Sequence, residues 1–186
     1  MKPITMSSLV APAHVVPALR VKDLTQAIGR LTSIAAEAAD LDHAAVLQAV
    51  LERGEQSSFA YGHGVALPHA MVPGLEEPLG VFARLETALD LGAPDDRPVD
   101  LALLILSLEG DDAMLLRSLA CAARRLRDRE VATRLRSADG AEAIHAVLTS
   151  DAWRAEHCDL ETSSDQGSHD ANLTNTAKWP TIEVLC

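Results

Sequence analysis

Over residues 23–39 the apolar side chains Leu24, Ile28, Leu31, Ile34 and Ala35 return every three or four positions, the period that gathers them on one face of an α-helix. Asp23 precedes this run, where a carboxylate can accept from the first free N–H groups. Asp42 opens a second helix over 43–52, with Val46, Val50 and Leu51 turned inward and Gly54 expected to close it. Val65-Ala66-Leu67 and Leu79-Gly80-Val81-Phe82-Ala83-Arg84-Leu85 read as strands. Val99-Asp100-Leu101-Ala102-Leu103-Leu104-Ile105-Leu106 is the most hydrophobic run in the chain and suits a central strand covered on both faces. Helical periods follow over 112–127, 128–136 and 140–148, the last with Asp139 as its cap. Residues 9–19, interrupted by Pro12 and Pro17, read as a short edge strand and a turn.

Strands interleaved with helices predict one α/β layered domain over residues 1–150. After Ser150 the pattern is lost. Ser163-Ser164-Asp165-Gln166-Gly167-Ser168-His169-Asp170 has nothing apolar to bury and cannot offset its own ordering entropy, so residues 151–186 are expected to form a polar, flexible tail. Trp179-Pro180-Thr181-Ile182-Glu183-Val184-Leu185 is apolar enough to dock, to add a strand or to hang free.

Composition narrows the function. With 48% hydrophobic but only 3% aromatic residues, the core must be built from Ala, Leu and Val. A net charge of −11 opposes binding to nucleic-acid phosphates and makes a basic protein surface the more natural partner. No apolar run approaches the roughly 18–20 residues needed to cross a bilayer, and Pro12 and Pro17 spoil the N-terminal stretch as a signal peptide. A cytoplasmic protein without membrane insertion is expected. Cys121, Cys158 and Cys186 are odd in number and far apart, which suggests neither a disulfide framework nor a zinc site.

The stretch with chemistry in it is Tyr61-Gly62-His63-Gly64-Val65-Ala66-Leu67-Pro68-His69-Ala70. Gly62 and Gly64 allow positive φ and close approach, and Pro68, lacking an N–H, is expected to end the strand ladder. His69 should then emerge from a stiff strand end. A neutral imidazole at cytoplasmic pH keeps one ring nitrogen with a free lone pair, which makes it a nucleophile. Exposed N–H groups in the glycine-bearing loop can supply donors to anionic oxygens.

This decapeptide, with Glu52-Arg53 upstream, resembles the active-site motif of the enzyme IIA proteins of the bacterial phosphotransferase system, in the mannitol/fructose class and its nitrogen-regulatory branch. The likeness spans about residues 9–148. It implies an α/β fold with a mixed central β-sheet flanked by helices on both sides. It also implies that His69 is phosphorylated by the phosphohistidine of an HPr-like protein, and that the group passes to an enzyme IIB partner or is held as a regulatory signal. No cofactor is expected. Arg53 would lie near the site and pair with phosphate oxygens; the other reading of Arg53 is a surface ion pair to Glu52 or Glu55.

His63 stands where the family often has Asn, as a donor to phosphoryl oxygens, a partner contact or a tolerated loop residue. A metal site built from His63 and His69 lacks a nearby carboxylate or cysteine to complete it. Phe59 and Tyr61 are read as packing or partner contacts, and Arg117, Arg124, Arg125, Arg127 and Arg129 mostly as a solvated helix face. One departure stands out. The family's second, supporting histidine aligns with Leu115, and Met114-Leu115-Leu116 holds no histidine. The alternative function is therefore a regulatory protein-binding module of the same fold, with impaired or no phosphoryl transfer.

Overall fold

Every layer of this molecule is organised around one strand, β6 (Val99–Leu108). The computed structural model describes residues 3–150; the expected tail lies outside the described residues. Before β6 the chain forms helix α1 (Met6–Leu9), a 3₁₀ turn, strand β1 (Val15–Leu19), helices α2 (Leu24–Ala39) and α3 (His43–Gln56), strands β2 (Ala60–Gly62), β3 (Val65–Ala66) and β4 (His69–Val72), and the long strand β5 (Leu79–Leu89). After it come helices α4 (Asp112–Arg127), α5 (Arg129–Ser137) and α6 (Gly140–Thr149).

The sheet is six-stranded and mixed, in the order β1-β5-β6-β3-β2, with β4 also paired to β6. β1 runs parallel to β5 at one edge; β5 and β6 are antiparallel; β3 and β4 both run parallel to β6. Side chains alternate across a strand, so parity along β6 divides the core in two. Leu101, Leu103 and Ile105 pack with Leu115, Leu126, Leu135, Ile144 and Leu148 of α4, α5 and α6. Ala102, Leu104 and Leu106 pack with Ile28, Leu31, Ala35, Val46 and Val50 of α2 and α3. All six of these β6 residues are at most 1% exposed, and each buried Leu or Ile contributes about 1.5–3 kcal/mol by leaving water. The mixed sheet with helices on both faces is the architecture expected from the sequence.

Acidic caps begin most of the helices. Asp23, Asp42 and Asp111 accept from the N–H groups of Gln26, Ala44 and Met114, and Asp128 from those of Glu130 and Val131. Asp139 stands at the start of α6 but makes no side-chain cap bond. Three other details differ from expectation. Helix α3 runs through Gly54 to Gln56, because that glycine serves packing: a Cβ there would meet Cε2 of Phe59 at 2.9 Å. Pro68 interrupts the strand only for a moment, since its carbonyl accepts from Ile105 N–H at 2.9 Å and pairing resumes at His69. Arg125 is buried, and its guanidinium donates to the Leu148 and Val147 carbonyls at the end of α6, where a helix carries partial negative charge.

Arg84 of β5 does the same for α5. It donates to the carbonyls of Leu135, Arg136 and Ala138, at 3.2, 2.8 and 2.8 Å, and to Pro17 O at 2.9 Å. None of the described helices is long and apolar enough to cross a membrane.

Arg84→Met removes the donor from four carbonyls at once. The expected loss is about 2–4 kcal/mol of unfolding free energy, read from urea denaturation, with Arg84→Lys recovering only part because one ammonium cannot span the fan of acceptors.

Candidate functional site

His69 opens β4, and its backbone sits opposite Ile105 in the centre of the sheet. Its ring is half-buried. Nδ1 lies 2.9 Å from the carbonyl oxygen of Leu67. A carbonyl can only accept, so Nδ1 carries the proton and Nε2 holds the lone pair. Pro68 stiffens the two-residue span between the ring's own residue and that acceptor. The ring of Phe59 meets the imidazole edge-on, with centroids 5.4 Å apart and planes at 68°.

Arg53, in the last turn of α3, donates from Nε to His69 Nε2 at 3.3 Å, and its Nη1 reaches Gln56 Oε1 at 3.3 Å. Arg53 is thus placed beside the histidine, and Glu52 takes a hydrogen bond from Gln48 instead. Burial pushes the His69 pKa below its ordinary value, and the Arg53 charge pushes the same way, while the bond to the Leu67 carbonyl pulls partly back. The net effect is a neutral ring at neutral pH, with Nε2 covered by the Arg53 guanidinium.

The exposed side of the ring borders an open cavity of about 330 Å³, lined also by Phe59, Tyr61, Leu67, Leu116 and Leu119. A tetrahedral anion has room there. Leu116 is 66% and Tyr61 41% exposed, unusually apolar surface for side chains of that size. Phe59 thus packs on the imidazole while Tyr61 faces solvent.

The glycine turn is held from both sides by charged residues. Gly62, His63 and Gly64 all hold positive φ, at 91°, 57° and 75°. The His63 N–H is already committed to Asp95 Oδ2 at 2.7 Å, and its carbonyl accepts from Arg136 Nη2 at 2.9 Å. That bond from His63 is the main reason the Asp95 carboxyl is held below the usual carboxylate range. Arg136 is in turn bidentate on Asp100, at 2.6 and 2.7 Å, and this pairing raises its own pKa. A Cβ on Gly64 would lie 2.5 Å from Arg136 Nη2, so glycine is required here by contact as well as by φ. The turn fastens the β2–β3 hairpin to β6 and α5. Gly62, His63 and Gly64 do not line the cavity beside His69, so the structure brings Arg53 to the histidine but not these three.

Leu115 is buried in the core with Leu67, Leu103 and Ile105, and among the described residues His69 is the one imidazole lining the cavity. Sequence reasoning missed the Asp95–His63–Arg136–Asp100 clamp, although a charged residue inside the apolar run 99–106 was a visible signal for it. It also missed the leucine wall from α4, which becomes identifiable only once the helix is docked.

Residues 8–151 match the family described as phosphoenolpyruvate-dependent sugar phosphotransferase system, EIIA 2. The chain is similar to a nitrogen regulatory protein of Bradyrhizobium diazoefficiens, 43% identical over 146 residues, covering 78% of this chain and 94% of that one. The crystal structure of nitrogen regulatory protein IIA-Ntr from Neisseria meningitidis superimposes with a TM-score of 0.72 at 25% identity, over 77% of this chain and 99% of that one. The complex of enzyme IIAMTL with phosphorylated enzyme IIBMTL from Escherichia coli shares the fold, with a TM-score of 0.62 at 18% identity over 75% of this chain and 98% of the matched one.

In an NMR pH titration the His69 ring is expected to titrate below the ordinary histidine value of about 6.5, and Arg53→Ala should move its midpoint upward by removing a neighbouring positive charge. Gly64→Ala is expected to cost about 1–3 kcal/mol in thermal denaturation, through its positive φ and the clash with Arg136.

Proposed function

The chain belongs to the EIIA 2 family of the phosphoenolpyruvate-dependent sugar phosphotransferase system, and from that premise we propose that it carries a phosphoryl group on His69. The observation that carries this reading is the state of the imidazole: Nδ1–H fixed on the Leu67 carbonyl, and Nε2 unprotonated and accepting from Arg53, in a ring that lines an open cavity. Nε2 attacks the phosphorus of an HPr-like phosphohistidine. A P–N bond forms at Nε2 as the donor's P–N bond breaks, and the donor nitrogen leaves with the electron pair. The ring gains positive charge in the process, which the Leu67 carbonyl stabilises through the Nδ1–H it already accepts. Arg53 exchanges its hydrogen bond to Nε2 for the equatorial phosphoryl oxygens, so the same side chain shields the nucleophile at rest and neutralises charge during transfer.

The group then passes to an enzyme IIB type partner or stands as a regulatory signal in the cytoplasm. The nitrogen-regulatory relatives favour signalling. A second reading has its own support, because Leu115 supplies no second imidazole: the chain is a regulatory binding module of the same fold, its contacts governed by His69 with little onward transfer.

Incubation with enzyme I, its HPr-type carrier and labelled phosphoenolpyruvate is expected to give acid-labile, base-stable label on the protein. His69→Ala should abolish it, and Arg53→Ala should slow labelling on the order of 10²-fold. The rate should fall as pH drops through the depressed His69 pKa, since protonation removes the lone pair. Absence of label on the native protein, where a control enzyme IIA is labelled, rejects phosphoryl carriage; label that forms but never leaves to any IIB partner favours the second reading.

A further inference from the structure

The cavity beside His69 does not stop at the apolar wall. A second cavity of about 510 Å³ continues from it along α4, sharing Tyr61, Ala120 and Ala123 and adding Arg124, Arg127 and Asp128. The two form one groove between α4 and β2, the edge strand of the sheet. One wall is a stripe of α4: Leu116, Leu119, Ala120, Ala123, Arg124 and Arg127 recur at intervals that place them on a single helix face. The groove is therefore polarised, apolar at the His69 end and cationic at the other. Eleven residues at about 1.5 Å each put Arg127 roughly 16 Å from Leu116 along the axis.

Both arginines are exposed, and neither guanidinium is bonded to a described residue, unlike those of Arg84, Arg125 and Arg136, which are committed to carbonyls or carboxylates. Asp128 lines the same cavity and keeps its negative charge while it caps α5 through the N–H groups of Glu130 and Val131, so it offsets one of the two arginines and leaves this end net positive. The chain as a whole carries −11, which suggests a basic partner. At the site the sign is reversed. Charges more than about a Debye length away are screened, so what an incoming surface meets at this rim is the local excess of positive charge from Arg124 and Arg127 over Asp128.

We infer that the phosphoryl donor docks in this groove with an apolar ridge over Tyr61 and Leu116 and a carboxylate-bearing end against Arg124 and Arg127. This rests on His69 being the phosphoryl acceptor, since the donor's phosphorus must reach Nε2 from the groove side. The apolar end sets the approach to the nucleophile and the cationic end selects the partner by charge, an effect that acts mainly on association.

The test measures transfer from the phosphorylated HPr-type carrier of the same organism to this protein, with donor concentration and salt varied. Arg124→Gln/Arg127→Gln is expected to raise the donor KM about tenfold, to leave the rate at saturating donor within about twofold, and to flatten the rise of KM with salt. Leu116→Ser should raise KM without changing its salt dependence. Circular dichroism and thermal denaturation confirm that each variant is folded. A KM that is unchanged or lowered in the double variant overturns the inference while leaving His69 as acceptor intact. Absence of transfer to the native protein rejects the acceptor role itself, and the docking assignment falls with it.

Discussion

The hydrogen bond from His69 Nδ1 to the Leu67 carbonyl is the constraint on which the rest of the site depends. It turns a residue with two interchangeable nitrogens into one with a designated donor and a designated lone-pair acceptor. The acceptor is backbone, two residues upstream and separated from the ring only by a proline, so the contact is local and tolerates little rearrangement. Once it is made, burial and Arg53 act in the same direction, both keeping Nε2 unprotonated.

The sheet exists to hold that carbonyl and that ring in place. Pairing of β3 and of β4 with β6 anchors the chain on either side of Pro68, and the Pro68 carbonyl itself accepts from Ile105. The short segment bearing the chemistry is thus stapled to the most buried strand of the protein. At the far end of the hairpin, Asp95 and Arg136 grip both polar groups of His63, and Arg136 is held in turn by Asp100. Arg84 fixes the helix from which Arg136 reaches. A run of charged groups crosses from β5 through α5 to the turn, and its purpose is rigidity at a distance.

Much of this was legible in the chain. The apolar period of the helices, the parity of the 99–106 run and the aspartates before the helices have local causes, and the structure follows them closely. The resemblance around the motif put Arg53 near His69, and the two side chains do meet. What local reading could not supply was assignment between distant segments. Gly62 and Gly64 have the look of a phosphate cradle, yet their turn is claimed by Asp95 and Arg136, residues 32 and 73 positions beyond His63 in the chain. Arg125 sits in a run of arginines that suggests a wet helix face, but its own position on the helix points it inward to the end of α6. Gly54 has the chemistry of a helix terminator and the role of a spacer. In each case the residue type was right for both functions, and only the three-dimensional neighbour decides between them.

That spacer carries a further implication. The absent side chain at residue 54 leaves a slot into which the benzyl group of residue 59 settles, and the benzyl group leans against the imidazole of residue 69. A single added carbon on the helix would press on that aromatic plate and, through it, on the heterocycle beyond. Tuning of the imidazole need not alter any group that hydrogen-bonds to it; it can proceed from behind, by adjusting how firmly that plate is pressed.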